Sequence, residues 1–146
     1  MYVTENRAVV DLDTQLRLTN TLLKKREREI LADYSVTPPQ FEALAALREF
    51  GALTMGELCE KMFLACSTAT DLVDRLERNG FVERVRDTVD RRVVRLKVLP
   101  KGEQMADEVT AARRQQLANV LSSVSLEDKE ALIQSLEHLQ YYLRKA

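Results

Sequence analysis

Apolar residues recur along this chain at two spacings: threes and fours over most of its length, and alternation over one short interval. The switch between them sets the expected elements. From about Asn6 to Ala32, Val9, Leu12, Leu16, Thr19, Leu23 and Ile30 fall in threes and fours, the seam of a long helix that packs on other helices. Thr37-Pro38-Pro39-Gln40 opens a second helix, combining a capping box with prolines in the first turn, where a missing N–H costs nothing. Phe41, Leu44 and Leu47 form its stripe, and Gly51 ends it. Thr54-x-x-Glu57 is a second capping box, starting a short helix whose Leu58 and Met62 face inward. The next helix, about Cys66 to Asn79, turns Ala69, Leu72, Val73 and Leu76 to the core and stops at Gly80.

After Gly80 the period changes. Phe81-Val82-Glu83-Arg84-Val85-Arg86, the polar turn Asp87-Thr88-Val89-Asp90-Arg91-Arg92 and Val93-Val94-Arg95-Leu96-Lys97-Val98 read as strand, turn and strand, rich in β-branched Val85, Val93, Val94 and Val98. Pro100 and Gly102 introduce a fifth helix through about Ser122. Ser125 caps a sixth, in which Leu132, Leu136, Leu139 and Leu143 repeat the three–four seam. The expected fold class is mainly α with a small β-wing, in the order helix–helix–strand–helix–helix–strand–strand–helix–helix. A winged helix-turn-helix core over about 37–100 is flanked by dimerisation helices at 6–32 and 101–145, within a single domain of 146 residues. Pairing the first helix with the last two leaves too much apolar stripe for one small chain, and a symmetric homodimer buries it.

Composition narrows the function classes. With 45% apolar and 31% charged residues the chain has ordinary soluble composition, and it holds no apolar run of membrane-spanning length. Met1-Tyr2-Val3-Thr4-Glu5 lacks the blocks of a signal peptide, so a cytoplasmic protein with no membrane partner is expected. Cys59, Cys66 and the single His138 make neither a disulfide framework nor a metal-ligand set, so no metal or cofactor is expected. Paired carboxylates in a pocket-like context, a nucleophile–His pair and a phosphate loop are all missing, and an enzyme is not expected.

The net charge of −1 conceals a separation. Residues 65–102 hold nine Lys/Arg against six Asp/Glu, while 1–64 and 103–146 each net −2. From Arg84 to Lys97 the balance is six basic to two acidic. Screening confines attraction to phosphates to about 8–10 Å at cellular salt, so a basic wing on an acidic body can still bind double-stranded DNA.

The candidate contacts follow. Ser67, Thr68, Thr70 and Asp71 lie in the first turns of the second helix of the helix-turn-helix, the part that enters a major groove. Ser67 and Thr68 reach phosphate or base edges. Asp71 accepts a hydrogen bond from cytosine N4, pairs with Arg75 four residues on, or simply complements the helix dipole. Arg75 pairs with Asp71 or Asp74, or reaches phosphate. Arg84 and Arg86 read as phosphate contacts or partners of Asp87. Arg91 and Arg92, beside Asp90, sit at the wing tip, where a narrow A·T-rich minor groove attracts a guanidinium. Cys66, near a helix N-terminus, is either a redox switch partnered by Cys59 or, with it, an inert small hydrophobe. His138, Tyr141 and Tyr142 read as surface or interface residues.

Four features together, Leu72-Val73-Asp74-Arg75-Leu76-Glu77, Asn79-Gly80-Phe81-Val82-Glu83-Arg84, Asp87-x-x-Asp90-Arg91-Arg92 and Lys101-Gly102, resemble the MarR family of winged helix-turn-helix transcription regulators over essentially the full length. The resemblance implies a roughly triangular homodimer that binds palindromic operators and is released by an oxidant or a small aromatic or phenolic effector, bound in a crevice drawing on the first, second and fifth helices. It also implies that Arg92 enters the minor groove while Asp90 holds it in place. Two positions depart from the family pattern. Val98-Leu99, followed by Pro100, replaces the usual Leu-Thr before the fifth helix, losing a side-chain cap worth about 1 kcal/mol that Pro at the first helical position partly offsets. Ala65 stands where the family often has Asp or Ser. The expected function is a homodimeric, sequence-specific DNA-binding regulator, a repressor; the alternative is a winged-helix protein-interaction module that no longer reads DNA.

Overall fold

A computed structural model describes residues 2–146, with side chains from Asn6 onward. The reading of Met1–Glu5 as lacking a signal peptide falls on side chains outside that description. The elements are α1 (Tyr2–Ala32), α2 (Pro38–Phe50), β1 (Leu53–Thr54), α3 (Met55–Met62), α4 (Cys66–Arg78), β2 (Val82–Arg86), β3 (Val94–Val98), α5 (Pro100–Val120) and α6 (Leu126–Lys145). Their order is the expected one, and the fold is the mainly helical winged helix-turn-helix with a small sheet.

Local chemistry explains the boundaries. The Gln40 N–H donates to Thr37 Oγ1 and the Thr37 N–H donates to Gln40 Oε1, closing the capping box at α2. Thr54 caps α3 by accepting from the Glu57 N–H at 3.2 Å, and Ser125 caps α6 by accepting from the Asp128 N–H at 3.1 Å. Ala65 leaves α4 without a side-chain cap. The other end of α4 closes in a Schellman motif: Phe81 N–H donates to Leu76 O, Gly80 N–H to Glu77 O, and Gly80 supplies φ 76°. The end of α3 repeats that motif, with Leu64 N–H donating to Cys59 O and Phe63 N–H to Glu60 O.

The chain divides inside α5 into two compact units, one ending at Arg113 and one comprising Arg114–Ala146. In the first, Leu31, Leu44, Leu58, Val73, Leu76 and Leu96 are fully buried, joining α1, α2, α3, α4 and the sheet in one core. Ile30 from the α1 seam enters that core, whereas Val9, Leu12, Leu16 and Leu23 stay exposed. Leu72, expected inward, is half-buried. In the second unit Leu132, Leu136 and Leu143 of α6 are exposed and Leu139 is half-buried. No helix of the described residues is long and apolar enough to cross a membrane.

The sheet is antiparallel in the order β1-β3-β2, with Arg84 opposite Leu96 and Leu53 also opposite Leu96. Burial of Val82 and Leu96, against exposure of Val85 and Lys97, gives it one core face and one solvent face; Val94 shares the face of Leu96 but is exposed at the end of the ladder. Val93 lies just outside β3. Its carbonyl accepts from the Asp87 N–H at 2.8 Å and its own N–H donates to Asp90 O at 3.0 Å, so it closes the turn.

Candidate nucleic-acid interface

The residues expected to contact a duplex lie on two surfaces, and both belong to the first unit. On α4, Ser67, Thr68 and Asp71 are exposed. Thr70 is half-buried and its hydroxyl donates to the Cys66 carbonyl at 2.7 Å, so its proton is engaged by the backbone. Among the described residues neither Asp71 nor Arg75 takes part in an ion pair, so the pairing between them does not form and both remain available. With no cap from Ala65, first-turn N–H groups of α4 are left for solvent or an anion.

On the wing, Asp90 grips Arg92 from two sides. Arg92 Nε donates to Asp90 Oδ1 at 3.1 Å, Arg92 Nη2 to Asp90 Oδ2 at 3.2 Å, and the Arg92 N–H to Asp90 Oδ1 at 3.1 Å. The Arg92 side chain is nevertheless 90% exposed. These bonds, the side-chain one foremost, hold the Asp90 carboxyl below its ordinary range. The Arg86 guanidinium donates to the Arg91 carbonyl at 3.2 Å, and Asp87 accepts from the Val89 N–H at 3.1 Å, so the turn is braced from within. Arg91 points no described bond inward and is exposed.

Arg84 departs from expectation. Its partner is not Asp87: Nη2 donates to Asp74 at 2.6 Å and Nη1 to Glu77 at 2.7 Å, both on α4, and only about a third of its side chain is exposed. Those carboxylates, Asp74 foremost, raise the guanidinium pKa further. Asp87 is taken instead by Arg95, whose Nε donates to it at 3.4 Å and whose Nη1 donates to the Ala52 carbonyl at 3.2 Å. The cause is the pleat: Arg84 alternates to the face of β2 that lies over α4, while Arg95 sits across from Val85 and Thr54. Alternation in the sequence contains that face assignment, but not the helix that meets it.

Cys59 is buried and Cys66 exposed. Burial, and then the hydrogen bond to the neighbouring Cys66 thiol, push the Cys59 thiol up to about 11.

Sequence reasoning also missed a cavity of about 380 Å³ lined by Asp33, Tyr34, Phe81, Lys101, Met105 and Glu108, among others. It draws on the turn after α1, on Phe81 just before β2 and on the first turns of α5, without α2. Desolvation, and then the Glu108 carboxylate, raise the Tyr34 phenol above its ordinary range. Lys101 Nζ donates to the Asn79 carbonyl at 2.8 Å and lies 5.1 Å from the centre of the Phe81 ring, tying α5 to the end of α4.

A helix with a free polar N-terminal turn beside a braced, arginine-tipped hairpin defines a winged helix-turn-helix DNA-binding protein. The MarR family pattern matches residues 36–94. The chain is 44% identical to the HTH-type transcriptional regulator YsmB of Bacillus subtilis (strain 168) over 94% of its own length and 94% of that protein's. It is 35% identical to the HTH-type transcriptional repressor MdtR of the same organism, covering 80% of this chain and 76% of MdtR. A solved MarR family protein from Bacillus stearothermophilus superposes with a TM-score of 0.86 at 50% identity, covering 95% of this chain and 97% of that one. The chain belongs to the MarR family of DNA-binding transcription regulators.

Proposed function

We propose that the protein is a homodimeric repressor, acting in the cytoplasm on a palindromic operator and released by a small ligand. The observation that carries this most directly is the Asp90–Arg92 clamp: a guanidinium oriented along its Nε–Nη2 edge yet 90% exposed is what a narrow minor groove selects. Ser67, Thr68 and Asp71 supply base or phosphate contacts in the adjacent major groove, with Thr70 as a shorter-reaching neighbour. Arg75, Arg86 and Arg91 supply charge near the backbone, whereas Arg84 contributes by fixing the wing to α4.

Dimerisation is supported by the exposed Val9, Leu12, Leu16 and Leu23 of α1 and by Leu132, Leu136 and Leu143 of α6, apolar surface that a second copy would cover. Repression is the role of MdtR, over most of whose length the match runs. The cavity lined by Tyr34, Phe81 and Met105 suits a small aromatic or phenolic effector. An anisotropy titration on duplexes enriched from a randomised library tests the whole. Expected are a twofold-symmetric consensus, a stoichiometry of two chains per duplex and affinity falling steeply with salt. Flat salt dependence with no enriched sequence sinks it.

A further inference from the structure

Two large apolar side chains stand apart in exposure among the described residues: Phe63 at 94% and Val89 at 93%, against no more than 71% for any other. The remainder lie mostly along α1, α5 and α6. These two lie just ahead of the recognition helix α4 and at the tip of the wing, the parts of the molecule that approach DNA. Phe63 is also strained. It holds the left-handed position of the Schellman motif ending α3, with φ 54° and ψ 41°. The equivalent position after α4 is occupied by Gly80. Glycine adopts this conformation freely, while a Cβ there is penalised. An aromatic ring that is strained at its backbone and almost wholly in water satisfies neither local preference nor burial, and such outliers gather at functional contacts.

We propose, on the footing that α4 reads bases, that Phe63 is a specificity-determining residue that packs its ring on the C5-methyl group of a thymine in the major groove. The thymine would lie next to the bases facing Ser67 and Thr68. Phe63 precedes Ser67 by four residues, and both are exposed, so the ring stands on the turn that leads directly into the exposed first turn of α4. Apolar contact with the methyl is the one major-groove signal that marks thymine against every other base and needs no hydrogen-bonding group.

The test uses the full chain and a duplex enriched by the wild type from a randomised library, with each thymine replaced singly by deoxyuridine. Burying one methyl changes affinity by about fourfold, so one position in each half-site should lose that much with the wild type. Phe63→Ala should lose affinity on the thymine duplex and show no difference between thymine and deoxyuridine. Its salt dependence should match the wild type's, because no phosphate contact is removed. Phe63→Gly should show the same loss of discrimination while unfolding at a higher denaturant midpoint, since it relieves the left-handed strain. That separates a lost contact from a damaged fold. Unchanged thymine–deoxyuridine discrimination in both variants overturns the assignment and leaves base reading by α4 standing. A loss of affinity without loss of discrimination places the ring on sugar or phosphate and also overturns it. A wild type that enriches no sequence overturns base reading by α4, and Phe63's role with it.

Discussion

Arg84 of the wing lies 2.6 Å from Asp74 of the recognition helix, and a second guanidinium nitrogen of Arg84 reaches Glu77 at 2.7 Å. One planar fork therefore clamps a strand of the wing to α4, fixing the angle between the two parts proposed to meet the duplex together. Arg84→Ala should lower stability by about 1 kcal/mol, since the pairs are partly exposed and screened. It should also weaken DNA binding by freeing two carboxylates beside the groove-facing surface. Arg84→Lys should not restore either, because an ammonium cannot span both carboxylates as a fork does. Urea melts and anisotropy on the three proteins check this. An Arg84→Lys protein indistinguishable from wild type would contradict the clamp.

Asp90→Asn makes the wing less acidic, so charge alone predicts tighter DNA binding. The Asp90–Arg92 geometry predicts the reverse. Losing the ionic clamp should leave Arg92 less ordered and weaken binding by about two- to fivefold, the scale of an exposed ion pair. Tighter binding by Asp90→Asn would show that the clamp plays no part.

The same carboxyl sets a pH dependence. Its pKa is lowered in the folded chain, chiefly by the Arg92 side chain, so its contribution is present above the ordinary carboxylate range. That contribution is lost as pH falls through the lowered value. The Arg92 Nε–H resonance should lose its hydrogen-bonded shift in that acidic window, before the core unfolds; a signal constant until global unfolding contradicts this.

Gly102 lies where the first turn of α5 crosses the start of β2. A Cβ there would fall 2.3 Å from the Phe81 carbonyl oxygen and 3.1 Å from its carbon. Backbone cannot move aside cheaply, and that oxygen already accepts the Leu99 N–H at 2.9 Å. Gly102→Ala should therefore cost about 2–3 kcal/mol, read as a lower denaturant midpoint with an unchanged slope.

Cys59 and Cys66 should differ sharply toward a thiol alkylator. In the native protein one cysteine per chain should react rapidly, the exposed Cys66, and two in urea. Because the Cys59 pKa is raised, its protonated form supports the fold. That support is complete below the ordinary thiol range and is lost as pH rises through about 11. Equal native reactivity of the two thiols, followed by mass spectrometry, would contradict the burial.

Much of the architecture is legible locally. Thr37 and Gln40, Thr54, Ser125 and Gly80 mark helix ends because caps are satisfied by residues three or four positions away. The wing is legible because alternation over Val82–Arg86 and Val94–Val98 needs only near neighbours in the chain. The Asp90–Arg92 pair, which the family resemblance implies, also forms between residues two apart. Arg84 was legible as a charge on a strand but not as a clamp, since Asp74 and Glu77 reach it only once α4 packs on β2.

The chain's own pattern thus determined the order of elements, their caps and the placing of arginines on a hairpin after a helix-turn-helix. All of these follow from backbone hydrogen bonding and spacing over a few residues. Packing alone decided which arginines stay free. It took Arg84 to α4 and Arg95 to Asp87 and Ala52, left Arg92 reaching outward, and gathered Tyr34, Phe81 and Glu108 around one cavity. Those outcomes depend on distances between segments far apart in the chain, which no local preference encodes.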